Sequence, residues 1–134
     1  MALIAKIDPP LDVDADGVAQ IHARPYGAAD AMTGEEIFVW TSERSGGHGL
    51  AARGTVLEAR IDSFANTAGD GTHKELVLAV RITHGAPLRP LDLDQVAPPA
   101  DGDAARSIYA HALNKITSLE PDVAGFVRSH FEEE

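Results

Sequence analysis

The residues best suited to chemistry fall in one stretch, Glu35 to Arg60. It reads Glu35-Glu36-Ile37-Phe38-Val39-Trp40-Thr41-Ser42-Glu43, then Arg44-Ser45-Gly46-Gly47-His48-Gly49, then Leu50 to Arg60. The only Trp stands beside Thr, Ser, Glu and Arg at the end of an apolar run, followed by a glycine-rich connection. A large aromatic next to hydrogen-bonding groups and a permissive loop has the makings of a ligand mouth, and the equal alternative is that Trp40 is core. Glu43 and His48 also offer an acid and a base, which makes a small hydrolase or nuclease the enzymatic alternative. No Gly-x-Ser-x-Gly elbow accompanies them. Gly46-Gly47-His48-Gly49 lacks the Gly-Lys-Ser/Thr ending of a phosphate loop and leads into a strand. Neither a catalytic residue nor a cofactor is therefore expected.

Metal chemistry finds little support. The chain has no Cys, so thiolate catalysis, disulfides and Cys-ligated zinc are excluded. The six His stand at 22, 48, 73, 84, 111 and 130, with no His-x-His or His-x-x-x-His pair. Asp12-Val13-Asp14-Ala15-Asp16-Gly17 matches the first half of a calcium loop. Its twelfth position is Ala23 rather than the bidentate Glu, so no metal site is expected.

The elements that must position these groups follow from periodicity and breakers. Residues 2–7 read as a short buried strand ended by Pro9-Pro10. Asp14 or Asp16 suits an N-cap, and Val18, Ile21 and His22 have helical spacing, so a short helix ending before Pro25 is expected. A loop spans Tyr26 to Met32, and Thr33-Gly34 turns into the first central strand. There Ile37, Val39 and Thr41 share one face and Phe38, Trp40 and Ser42 the other. The second run, about 50–64, is long enough to bend, with Gly54 marking a bulge or a close backbone approach. It pairs with a strand over 74–84 as a long hairpin. Leu91, Leu93 and Val96 form a helical turn. Asp103 caps a helix running to about Ser118, and Pro121 opens a last helix with an apolar stripe of Val123, Phe126, Val127, His130 and Phe131.

At 134 residues and 44% hydrophobic, the chain is one domain, 1–134, with enough apolar mass for a core. Nothing approaches the roughly 20 apolar residues of a membrane span, and the N-terminus lacks signal-peptide character, so no membrane and a cytoplasmic location are expected. The net charge of −10 argues against tight binding to plain duplex nucleic acid. From His22 to Arg60 the net charge is only −1, which leaves −9 on the rest. The central stretch is the place for any anionic partner.

The order of features resembles the EVE family of the PUA-like superfold. The matching pieces are Leu3–Pro9, Tyr26–Met32, Gly34 to Ser42, Ala52-Arg53-Gly54-Thr55-Val56, Leu76–Leu88 and Leu113–Phe131. The family's aromatic pair near the start is replaced by Leu3-Ile4, and its Arg-containing segment is matched loosely by His22-Ala23-Arg24-Pro25-Tyr26. The resemblance implies an α+β PUA-like fold, a curved, mostly antiparallel β-barrel with short flanking helices. It also implies a non-catalytic module that binds a modified base, nucleotide or nucleic acid. The candidate ligand residues are Arg24, Tyr26, Trp40, Thr41, Ser42, Arg44, His48 and Arg53. Trp40 or Tyr26 would stack on a base, the hydroxyls and His48 would address its edge, and the arginines would meet phosphate. A third reading is an interaction module in which an apolar edge strand serves a homodimer.

Overall fold

The computed structural model describes residues 2–7, 11–23, 33–42, 46–47, 49–65, 72–91 and 116–132. Among these residues six strands form one sheet: β1 Ala2–Ile7, β2 Val18–Ala23, β3 Glu36–Thr41, β4 Gly49–Ala65, β5 Thr72–His84 and β6 Ile116–Leu119. Their order is β2-β5-β4-β3-β1-β6. The β1–β3 pair is parallel, with Leu3 opposite Ile37 and Ile7 opposite Thr41, and the other pairs are antiparallel. β2 and β1, with three strands between them in that order, approach each other, so the sheet curls into a half-barrel. Helix α1, Pro121–Arg128, follows β6 directly and continues as a 3-10 turn, Ser129–Phe131.

Both faces of β3 are buried, and they feed two cores. Ile37 and Val39 join Leu3, Ala5, Ile21, Leu78 and Val80 inside the barrel. Phe38 and Trp40 join Ile4, Leu50, Val123, Val127 and Phe131 under α1. This is why β3 carries bulky residues in sequence rather than an apolar–polar alternation. α1 begins with Pro121 at its first position, where the missing N–H is no loss, and carries Asp122 in the first turn. Val123, Val127 and Phe131 recur at i, i+4, i+8 and face the sheet, as the stripe predicts; Phe126 and His130 lie only partly buried beside it.

Three register shifts shape β4 and its neighbours. Val39 pairs with Ala52 but Trp40 with Leu50, so Ala51 is an extra residue. Leu50 is thereby turned to the α1 face beside Trp40. Arg53 pairs with His84 but Gly54 with Ile82, so Thr83 is the extra residue on β5. Val56 pairs with Val80 and Glu58 with Ala79, which leaves Leu57 unopposed and 40% exposed. Gly54, expected at a bulge or close approach, serves as both. A Cβ there would lie 2.8 Å from Val80 Cγ1 and overlap the Arg81 carbonyl oxygen.

Two expected helices are corrected. Residues 18–23 form strand β2, because Ala19 and Ile21 are buried while Gln20 and His22 are exposed, a period of two. The aspartates before it make a turn instead of a helix cap: Asp14 Oδ1 accepts the Asp16 amide at 2.8 Å and the Val18 amide at 3.0 Å. Residues 116–119, placed at the end of a helix from Asp103, form β6 against β1. Ile116 points into the barrel and Leu119 toward α1. The rest of that expected helix, the turn through Leu93 and Val96, and the loop from Tyr26 to Met32 lie outside the described residues.

Candidate functional site

The two faces of β3 each end in an opening. On the barrel side, at the C-terminal end of β3, a groove of about 550 Å³ is lined by Leu11, Val13, Thr41, Gly46, Gly47, Leu50, Ala51, Ile82, Gly85, Ala86 and Pro87. The bulge at Ala51 brings that methyl group to the groove wall. Thr41 Oγ1 donates to the Gly49 carbonyl at 3.2 Å, which ties the end of β3 to the start of β4. The connection is tight: the Gly47 amide donates to the Ser42 carbonyl at 2.8 Å, and the Ser42 amide donates to the Ile7 carbonyl at 2.8 Å. A Cβ on Gly47 would stand 2.7 Å from Thr41 and Ser42 atoms, so the glycine is what allows this closure. The far wall, 85–87, runs into a segment, 88–91, that is pinned at two points. The Leu50 amide donates to the Leu91 carbonyl at 2.9 Å, and the Leu88 and Arg89 amides donate to the His130 carbonyl.

On the α1 side, at the N-terminal end of β3, lies a polar cleft of about 280 Å³. It is lined by Gly34, Glu36, Arg53, Gly54, Thr55, Thr83 and His84. Glu36 is its hub. Arg53 Nε donates to Glu36 Oε2 at 2.7 Å. Arg128 donates through Nε to Oε1 at 3.1 Å and through Nη2 to the same oxygen. Burial alone would raise the Glu36 carboxyl; the hydrogen bonds from Arg128 and Arg53 and their positive charge outweigh it and hold the group below its ordinary value. The same pairing raises Arg128. Thr83 Oγ1 donates to the Arg53 carbonyl at 3.1 Å and lies 3.1 Å from His84 Nδ1. The His84 ring in turn rests on Phe131, with centroids 5.8 Å apart.

These positions revise the sequence-derived site. Trp40 is 1% exposed, enclosed with Phe38, Ile4 and Leu50 in the α1-side core. It has no open edge for stacking, so the expectation that it forms a ligand platform is corrected. The indole is too large to share a strand face with Phe38 under a helix and still reach the rim. Ser42 is 6% exposed and Thr41 likewise, but only Thr41 borders the groove. Arg53 lies in the polar cleft, on the face opposite to Thr41, so the structure does not bring these two candidates together. Arg24, Tyr26, Arg44 and His48 lie outside the described residues, as does Glu43, so the Glu43–His48 acid–base pair does too. The groove walls from Leu11, Val13, Ala51, Ile82 and 85–87, and the cleft groups Glu36, Thr83 and His84, were not singled out from sequence. Gly54 was the one usable signal, since the bulge beside it moves Thr83.

No family model matches the chain, and no curated protein matches it. Among solved structures, the ASCH protein from Zymomonas mobilis superposes with a TM-score of 0.60 at 13% identity, over 98% of this chain and 96% of that one. A ZmASCH mutant protein with a tyrosine changed to phenylalanine gives 0.60 at 14% identity, over 98% and 99%. The likeness spans nearly the full length of both chains, and it is a likeness of fold: this chain is an α+β barrel of the PUA-like kind, built as the ASCH structures are.

Proposed function

We propose that the chain is a non-catalytic binding module that takes a nucleobase-class ligand, a modified base or the base of a nucleotide, in the barrel-side groove. The observation that carries this reading is the groove itself. Its volume of about 550 Å³ falls in the range of small-ligand sites. Its walls are mainly apolar, from Leu11, Val13, Ile82, Ala86 and Pro87, with the Thr41 hydroxyl and glycine backbone as the polar points. Flat apolar walls with a few fixed polar groups suit a planar heterocycle better than a charged group. No guanidinium or ammonium lines the groove among the described residues. Gly46 and Gly47 border it, and their sequence neighbours Arg44 and His48 are the proposed partners for the ligand's edge and phosphate. The EVE-like order of the sequence supports the same ligand class, and the ASCH likeness supports the barrel that such a groove needs.

Gly85 supplies the test. Its φ is not left-handed, and a Cβ there would meet nothing within 4 Å, so a side chain can be added at this lining position to obstruct the groove. Amide shifts are followed by NMR while free nucleosides, plain and base-modified, are added to wild type and Gly85→Phe. Saturable shifts at Thr41, Gly47 and Ala51, lost in Gly85→Phe, are expected. Shifts that stay outside the groove, or that survive its obstruction, refute the reading.

A further inference from the structure

We propose that the polar cleft on the α1 side is a second, independent site, one that takes a phosphate monoester. The geometry points to it through the donors that Arg53 keeps in reserve. In a chain of net charge −10, two guanidiniums, Arg53 and Arg128, here meet two carboxylates, Glu36 and the more exposed Glu132, and of the two arginines it is Arg53 that lines the cleft. Both Glu36 oxygens are already taken: Oε1 by Arg128, and Oε2 by Arg53 Nε. Arg53 spends only its Nε–H there, so its terminal N–H groups remain as donors in the fixed fork that suits phosphate oxygens. Glu132 also faces them: its Oε1 lies 3.7 Å from Arg53 Nη1, and its side chain is 55% exposed. A solvated carboxylate at that distance holds its partner weakly, and an anion with several oxygens can displace it.

The remaining walls fit the same ligand. Thr55 presents a hydroxyl from the strand that carries Arg53. Thr83, the extra residue of the β5 bulge, spends its proton on the Arg53 carbonyl and so steadies the strand behind the guanidinium, with the His84 imidazole beside it. The neighbouring Phe131 ring fixes the plane of the imidazole. About 280 Å³ admits a phosphate and the first atoms of what carries it, but not a whole large ligand. Inorganic phosphate and a nucleoside monophosphate share this chemistry.

The experiment titrates the full chain with inorganic phosphate and, separately, with uridine 5′-monophosphate, against sodium chloride at matched ionic strength. Backbone amides and the Arg53 side-chain Nε–H are followed by NMR. Saturable shifts at Arg53, Thr55 and Thr83 are expected beyond the chloride control. Both ligands acting there identifies the free phosphate group as sufficient; the monophosphate alone acting there identifies a nucleotide as the source. Arg53→Gln should weaken binding about 10- to 100-fold, as loss of charge-assisted hydrogen bonds does. Because Arg53 also holds Glu36, Thr55→Val is the variant that keeps the ion cluster, and it should weaken binding about 3- to 10-fold. Glu132→Gln removes the competitor and should tighten binding about 2- to 5-fold, a change that no merely structural role produces. Gly85→Phe, in the other groove, should leave phosphate affinity unchanged, which separates this site from the one under Proposed function. Shifts no larger than with chloride, unchanged affinity in Thr55→Val, or weaker binding in Glu132→Gln each overturn the proposal.

Discussion

Replacing Glu36 by Gln should loosen the attachment of α1 to the sheet by removing charge while keeping shape. Gln can still accept a hydrogen bond from either arginine, so the change isolates the ionic part. Glu36 and Arg53 side chains are each 21% exposed and Arg128 35%, so the cluster sits between a surface pair and a buried one. Exposed pairs are worth about 0–1 kcal/mol, and breaking a fully buried pair costs about 3–5 kcal/mol. With two cations left facing each other, we expect a loss of about 2 kcal/mol, or about 5–10 °C in Tm for a chain of this length. The pH dependence has a definite sign. Glu36 is held below its ordinary value of 4.5, so its contribution is present above that pH and is lost as pH falls through the depressed folded-state value. Urea melts of wild type and Glu36→Gln, compared at neutral pH and again well below 4.5, read it directly. The gap between the two proteins should close at the acid end. A gap under about 0.5 kcal/mol at neutral pH, or one that does not shrink with acid, refutes the hub as an ionic clamp.

Three further outcomes follow from the packing. Trp40→Ala should cost about 3–5 kcal/mol, comparable with Phe38→Ala, because both rings fill one core; equal melts for wild type and Trp40→Ala would contradict this. Gly54→Ala should cost about 1–3 kcal/mol through overlap with β5, checked by chemical denaturation. Millimolar calcium should leave Tm unchanged, since Asp14 Oδ1 is committed to the Asp16 and Val18 amides; a saturable rise lost in Asp14→Ala would show a site there.

Much of the fold was legible because its strands advertise themselves. β1 is cut off by Pro9-Pro10, the hairpin of β4 and β5 alternates over most of its length, and Pro121 with Asp122 announces α1. β2 was misread because its apolar residues Val18 and Ile21 also satisfy a helical spacing of three, and six residues are too few to separate the two periods. The sheet decided it: Ala19 and Ile21 find Val80 and Leu78 across β5. β6 was misread for a similar reason. Four residues, Ile116 to Leu119, have no period of their own, and their strand conformation comes from pairing with β1, more than a hundred residues earlier in the chain. Such pairings are tertiary facts, invisible to local propensity.

The candidate site was less legible, and the cause is register. From alternation, Trp40 and Ser42 belong to one face of β3 and Thr41 to the other, and the polar sequence after Trp40 draws attention to the wrong one. What sets the openings is where β4 and β5 gain an extra residue. The bulge at Ala51 turns Leu50 onto Trp40, which seals the indole, and in the same step puts Ala51 beside Thr41 in the groove. The bulge at Thr83 does the same for the cleft, setting a hydroxyl beside Arg53 where a regular ladder would have continued the sheet. One strand face was therefore closed, and two openings were made, by irregularities that Gly54 alone hinted at. The two openings owe less to the largest aromatic of the chain than to small residues displaced from the ladder. Substitutions at Gly85, Thr55 and Glu132 therefore probe function, whereas one at Trp40 probes the core.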